Sequence, residues 1–139
     1  MSERRKILII DDERDIVHSL SIRLRAAGYE VLTATDGAAG LSMALDAMPD
    51  GILMDIRMPG MDGFAVLDGL KGRAETKAIP VIAVSANVVE RVRAQALAAG
   101  ACCFMGKPFQ PEKLLSTVKA VIGAACPSCE LPFSVGGET

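Results

Sequence analysis

A chain of 139 residues, half of them hydrophobic, has the length of one domain and enough apolar material for a buried core. Charged residues make up 23%, a level that excludes a disordered or fibrous protein. Fifteen Lys and Arg against seventeen Asp and Glu leave a net charge of −2, so bulk electrostatics do not draw the chain to nucleic acid.

The first apolar run, Lys6-Ile7-Leu8-Ile9-Ile10, ends on Asp11 and Asp12. Short continuous runs of this kind predict buried strands of a parallel sheet. Glu13 to Ala27 carries Ile16, Leu20 and Leu24 at four-residue spacing, with Arg14, Arg23 and Arg25 elsewhere and Gly28 closing it. That is an amphipathic helix with a stop signal. Tyr29 to Ala34 predicts a weaker strand at the sheet edge. Asp36 is placed to cap a helix through Leu41, Ala44, Leu45 and Met48, which Pro49 ends.

The third run, Gly51-Ile52-Leu53-Met54, delivers Asp55 and breaks into a loop rich in Pro and Gly that reaches Gly63. Phe64, Val66, Leu67 and Leu70 mark the third helix. Pro80 opens a fourth strand, Val81-Ile82-Ala83-Val84, which ends on Ser85. Asn87 is placed to cap a fourth helix running to Ala99, with Gly100 beyond. The fifth run, Ala101 to Gly106, leads into Lys107-Pro108, and Pro111 stands in the first turn of a last helix with Leu114, Leu115, Val118 and Ile122.

Five alternations of strand and helix predict an α/β fold, a parallel sheet with helices on both faces and right-handed crossovers. The domain is expected over residues 1–123. Residues 124–139 hold two prolines, two glycines and two serines without an apolar period, and read as a flexible C-terminal tail. The five-residue apolar stretch after the N-terminal Met1 to Arg5 is too short for a signal-peptide core or a bilayer span, so the expected location is cytoplasmic. Cys102 and Cys103, inside an apolar run, read as core residues. Cys126 and Cys129 are expected to stay reduced, since one CxxC supplies only half of a tetrahedral zinc site.

In an open α/β sheet the ligand crevice lies outside the carboxyl ends of the strands. Asp11, Asp12, Asp55, Ser85 and Lys107 are therefore expected to converge on one edge. Three carboxylates meeting there repel one another, each pair by about 4 kcal/mol at about 4 Å and an effective dielectric near 20. Such a site raises a pKa or binds a cation. All-oxygen ligands without His or Cys suit a hard ion, and a site sharing that ion with phosphate suits Mg²⁺. A carboxylate is itself a nucleophile toward phosphorus, and an ammonium and a hydroxyl can then hold the phosphoryl oxygens.

This pattern, over about residues 5–123, resembles the receiver domain of two-component response regulators. An acidic pair ends the first strand (Asp11, Asp12) and the phosphoacceptor ends the third (Asp55, in Leu53-Met54-Asp55-Ile56-Arg57-Met58-Pro59-Gly60). Ser85-Ala86 ends the fourth strand and Lys107-Pro108-Phe109 the fifth. The separations of 30 (85 minus 55) and 22 (107 minus 85) also match the family. The resemblance implies a doubly wound, flavodoxin-like (βα)5 sheet in the order 2-1-3-4-5. It implies Mg²⁺ held by Asp11, Asp12, Asp55 and the Arg57 backbone carbonyl, and a cis peptide at Lys107-Pro108. Ser85 and Phe104 would be the switch residues, the second lacking the hydroxyl of a Tyr.

The implied function is phosphoryl transfer from a phosphohistidine onto Asp55, switching a partner face made by helix four, strand five and helix five. The implied partners are a histidine kinase or histidine phosphotransfer protein and a downstream protein target, with no direct nucleic-acid binding and no membrane insertion. Such a domain catalyses only its own phosphorylation and dephosphorylation. One alternative is a receiver module of a larger hybrid histidine kinase or multidomain regulator. Another is an aspartyl-phosphate phosphatase; haloacid-dehalogenase-like enzymes, however, carry Asp-x-Asp after the first strand, whereas here the acids are adjacent.

Plainer readings stand beside these. Asp11 and Asp12 could simply cap the first helix, Asp55 could be an ordinary loop carboxylate, and Lys107 a solvated surface lysine. His18, the single histidine, reads as an exposed bystander rather than a phosphohistidine. Met58 and Met61 read as loop packing.

Overall fold

The apolar runs become strands because each can be covered on both faces. In the computed structural model, which describes residues 4–57, 63–86, 89–107 and 110–123, they are β1 (Lys6–Ile10), β2 (Glu30–Ala34), β3 (Gly51–Asp55), β4 (Val81–Ser85) and β5 (Cys103–Gly106). The helices are α1 (Arg14–Ala26), α2 (Gly37–Ala47), α3 (Gly63–Lys71), α4 (Glu90–Ala98) and α5 (Pro111–Val121). All four strand pairings are parallel, and the order is β2-β1-β3-β4-β5. The expected doubly wound sheet and its order are both present.

Alternation along β1 shows how the two layers are covered. Ile7 and Ile9 join a core cluster with Val17, Leu20 and Leu24 of α1 and Leu114 and Val118 of α5. Leu8 and Ile10 join the other cluster, with Ala44 of α2, Val66, Leu67 and Leu70 of α3 and Ala96 of α4. Every residue of β3 and β4 is buried. Each Leu or Ile so buried contributes about 1.5–3 kcal/mol relative to exposure, which fixes the register of the strand ends that carry the site.

Local signals act largely as expected. Asp36 accepts the Ala39 N–H at 2.8 Å and caps α2. Gly28, Gly100 and Gly123, following α1, α4 and α5, have positive φ angles of 101°, 117° and 107°. The N-terminal edge is tied by Lys6 N–H to Asp50 Oδ2 at 2.7 Å and by Tyr29 O–H to the Gly123 carbonyl at 2.6 Å.

Two expectations and one of the plainer readings need correction. Met48 does not continue the α2 stripe; it is the C-cap, at φ 49°, and is exposed. Cys102 is exposed rather than core, while Cys103 is half-buried and packs against the α1–α5 core cluster, because β5 is an edge strand and begins only at Cys103. Glu13, not Asp11 or Asp12, is the N-cap of α1, and it makes no side-chain cap bond. The expectations for Asn87, Met58 and Met61, Pro108, Cys126 and Cys129, and the tail lie outside the described residues. No helix among the described residues is long and apolar enough to cross a membrane.

Candidate phosphoryl-acceptor site

The carboxyl ends of β1 and β3, neighbours at the centre of the sheet, deliver the acids. Asp11 directly follows β1, and its N–H donates to the Ala34 carbonyl at 3.1 Å, continuing the pairing with β2. Asp55 is the last residue of β3. Both are buried, at 4% and 6% exposure, while Asp12 is exposed. Asp11, Asp12 and Asp55 each offer a carboxylate oxygen, all within 4.8 Å of one another.

Lys107 arrives from the far side. Its N–H donates to the Ser85 carbonyl at 2.9 Å, carrying the β4–β5 pairing one residue further and turning the side chain over the acids. Nζ then donates to Asp11 Oδ2 at 2.9 Å, Asp55 Oδ2 at 3.0 Å and Glu13 Oε1 at 2.8 Å. The remaining oxygens are held by the backbone: Glu13 N–H donates to Asp11 Oδ1 at 2.9 Å and Arg57 N–H to Asp55 Oδ1 at 3.0 Å. These bonds keep two close carboxylates in fixed orientations, which free side chains would not hold.

Burial pushes the Asp11 carboxyl above its ordinary pKa, against the Glu13 N–H and the Lys107 ammonium, which pull it down. Burial alone would lower Lys107, but its bonds to Glu13, Asp11 and Asp55 outweigh that and hold it above the ordinary lysine value. It is therefore a permanent ammonium at neutral pH, shared among three carboxylates.

Asp12, Glu13, Asp55, Arg57, Ala86 and Lys107 line an open cavity of about 590 Å³. Ser85 is fully buried at the end of β4, in register with Gly106. Phe104 is half-buried and packs against the α2–α3–α4 core cluster, in register with Ala83. Gly63 lets α3 start against the end of β3: its N–H donates to the Ile56 carbonyl at 2.8 Å, and a Cβ there would stand 2.5 Å from Ile56 Cα and 2.8 Å from the Asp55 carbonyl oxygen.

The residues expected at one edge are thus brought together, save Pro108, which lies outside the described residues. Glu13 was missed as a partner of Lys107; a third consecutive acid, Asp11-Asp12-Glu13, was its only signal. The donor set is entirely carboxylate, with two members buried, and fits a hard divalent cation better than a soft one.

A parallel sheet with acids at the ends of β1 and β3 and a lysine after β5 defines a class, and comparison agrees. The chain belongs to the response regulator receiver domain family, whose profile matches residues 7–119. It is 39% identical over 134 residues to the transcriptional regulatory protein PrrA of Mycobacterium leprae, covering 94% of this chain and 57% of that one. It is 39% identical over 117 residues to protein PilH of Pseudomonas aeruginosa, covering 84% and 97%. The chain thus spans little more than half the length of PrrA but nearly all of PilH.

Among solved structures, chemotaxis protein CheY4 of Vibrio cholerae has a TM-score of 0.82 at 34% identity, covering 86% of this chain and 99% of that one. The receiver domain of sensor histidine kinase PA1611 from Pseudomonas aeruginosa has a TM-score of 0.81 at 29% identity, covering 88% and 100%, and holds a magnesium ion in its active-site cleft. This chain is a receiver domain of two-component signalling.

Proposed function

We propose that Asp55 accepts a phosphoryl group from a phosphohistidine of a histidine kinase or histidine phosphotransfer protein. The observation that carries this reading is the single ammonium of Lys107 bonded to both Asp11 and Asp55 at strand ends. An oxygen of the Asp55 carboxylate forms a bond to phosphorus as the donor's phosphorus–nitrogen bond breaks, the electron pair returning to the imidazole nitrogen. The Arg57 N–H holds Oδ1 of the nucleophile in place. Lys107, already in contact with Asp55, is placed to transfer its hydrogen bonds to the phosphoryl oxygens.

Asp11, Asp12, Asp55 and the Arg57 carbonyl would hold Mg²⁺, which supplies charge neutralisation at those oxygens. Ser85, beside the site, would turn toward the phosphoryl group and relieve Phe104, changing the face made by α4, β5 and α5 that meets a downstream protein. The coverage of PrrA also suits a receiver module within a larger regulator.

Incubation with acetyl phosphate and Mg²⁺ should add one phosphate to the intact mass. A chelator, or Asp55→Asn, should abolish the addition. Labelling that persists at the same rate in Asp55→Asn overturns the assignment, and multiple turnover of a donor without a stable adduct favours a phosphatase.

A further inference from the structure

Among the described residues, one buried side-chain nitrogen has no hydrogen-bond partner: Arg5 Nε. It stands at the carboxyl end of α5, where a Cβ placed on Gly123 would lie 3.0 Å from it. A helix C-terminus attracts a guanidinium, but an Nε–H closed to water still needs an acceptor. The nearest groups along the chain that can supply one follow Gly123.

Gly123 is also where the chain is pinned. Its carbonyl accepts the Tyr29 O–H at 2.6 Å, and its φ of 107° turns the backbone away from the α5 axis. Tyr29 stands three residues beyond Ala26, the last of α1 (29 minus 26), so the chain leaves α5 beside the end of α1. From there a groove of about 590 Å³ runs between the two helices, lined by Ser19, Ile22, Arg23, Ala26 and Ala27 of α1 and Leu115 of α5. Positions 19, 22, 23 and 26 form one helical stripe. Ile22 is 54% exposed, more than any other large hydrophobic among the described residues. Arg23, the one charge in the lining, has no ion pair among them.

The sequence after Gly123 complements this groove. It contains Glu130 and Glu138 but no Lys or Arg. Its bulky apolar residues, Leu131, Phe133 and Val135, stand at alternate positions, too few for an element of their own but suited to one face of an extended backbone. Pro132 biases Leu131 toward that extended conformation. Ten residues separate Phe133 from Gly123 (133 minus 123), a reach of about 33 Å, whereas Ser19 to Ala27 spans about 12 Å of helix. Tethering also holds the segment there at an effective concentration on the order of millimolar, which a second copy in dilute solution lacks.

We propose that residues 130–135 of this chain lie in the α1–α5 groove, with Leu131 and Phe133 against Ile22 and Leu115, Glu130 beside Arg23, and a carbonyl directly after Gly123 accepting the Arg5 Nε–H. The groove shares no lining residue with the acceptor cavity, so this contact stands apart from the role given to Asp55.

The test is NMR on the full, unphosphorylated chain with ¹³C-labelled methyl and aromatic groups. Nuclear Overhauser contacts are expected from the Phe133 ring and the Leu131 methyls to the methyls of Ile22 and Leu115, unchanged on dilution. The Arg5 Nε–H should exchange with water about tenfold more slowly than that of exposed Arg14. In Leu131→Ser/Phe133→Ser, a soluble gadolinium chelate should relax the uncovered Ile22 methyl about twofold faster than in the native chain. Arg23→Glu, at an exposed position, should weaken the same contacts with the sheet resonances unchanged. Absence of contacts from residues 130–135 in a chain whose sheet resonances are intact overturns the proposal. Contacts that arise only between differently labelled chains in a mixed sample place a second copy in the groove and overturn it too.

Discussion

The two ends of the sheet are built from similar polar residues put to opposite uses. At the amino end polar groups pair one to one: Lys6 N–H bonds to Asp50, Lys6 Nζ bonds to the Ala47 carbonyl at 2.8 Å, and Tyr29 O–H bonds to the Gly123 carbonyl, while Arg5 Nε is buried there without a hydrogen-bond partner among the described residues. At the carboxyl end one ammonium serves Asp11, Glu13 and Asp55, and Asp12 stands within the same acidic cluster. The first arrangement closes the fold. The second leaves an excess of negative charge that a divalent cation would offset, so it is held at some cost in stability. Substitutions should therefore separate cleanly: amino-end changes in melting, carboxyl-end changes in labelling.

The sharpest separation is expected at Lys107. Lys107→Met should slow acetyl phosphate labelling about ten- to a hundredfold, since a hydrogen bond to a charged group contributes about 1.5–3 kcal/mol. Its thermal midpoint should change far less than its rate. Loss of the folded state in this variant, by circular dichroism, would erase the contrast between the two ends.

Ser85→Ala comes next. It should leave Asp55 able to accept phosphate while reducing the response of β5. With beryllofluoride, a phosphoryl mimic, amide shifts in the native chain should spread over residues 103–107. In Ser85→Ala they should shrink toward residues 55–57. An undiminished spread would remove Ser85 from the switch.

Tyr29→Phe tests the opposite end. Losing the bond to Gly123 should destabilise the chain by about 1 kcal/mol, read from denaturant midpoints, with labelling unchanged. A variant that melts normally but labels slowly would contradict the division of labour.

What the sequence made legible follows from burial. Ile10, Met54 and Val84 are apolar residues that directly precede Asp11, Asp55 and Ser85, and a polar residue ending a fully buried strand has one place to go. Gly28, Gly100, Asp36 and Pro111 were legible because backbone geometry restricts them. Glu13 was not, since an acid at a helix start reads the same whether it caps, is solvated or reaches an ammonium 94 residues away. Cys102 misled because an apolar run does not announce that its strand lies at an edge and begins one residue later.

Glu13 supplies the smallest expected effect. Its side chain is 57% exposed, so its bond to Lys107 is screened, and Glu13→Gln should alter labelling by less than about threefold. A larger change would make Glu13 a full member of the site rather than an outer contact.

Whether Asp55 is the residue that carries the phosphoryl group is decided by mapping the acyl phosphate. After labelling with acetyl phosphate and Mg²⁺, borohydride reduces an aspartyl phosphate to homoserine, and peptide mass spectrometry then locates the altered residue. Homoserine is expected at position 55 and at no other acid, and is lost when Mg²⁺ is chelated. Homoserine at Asp11 or Asp12 with residue 55 unchanged, or modification independent of metal, would contradict that assignment.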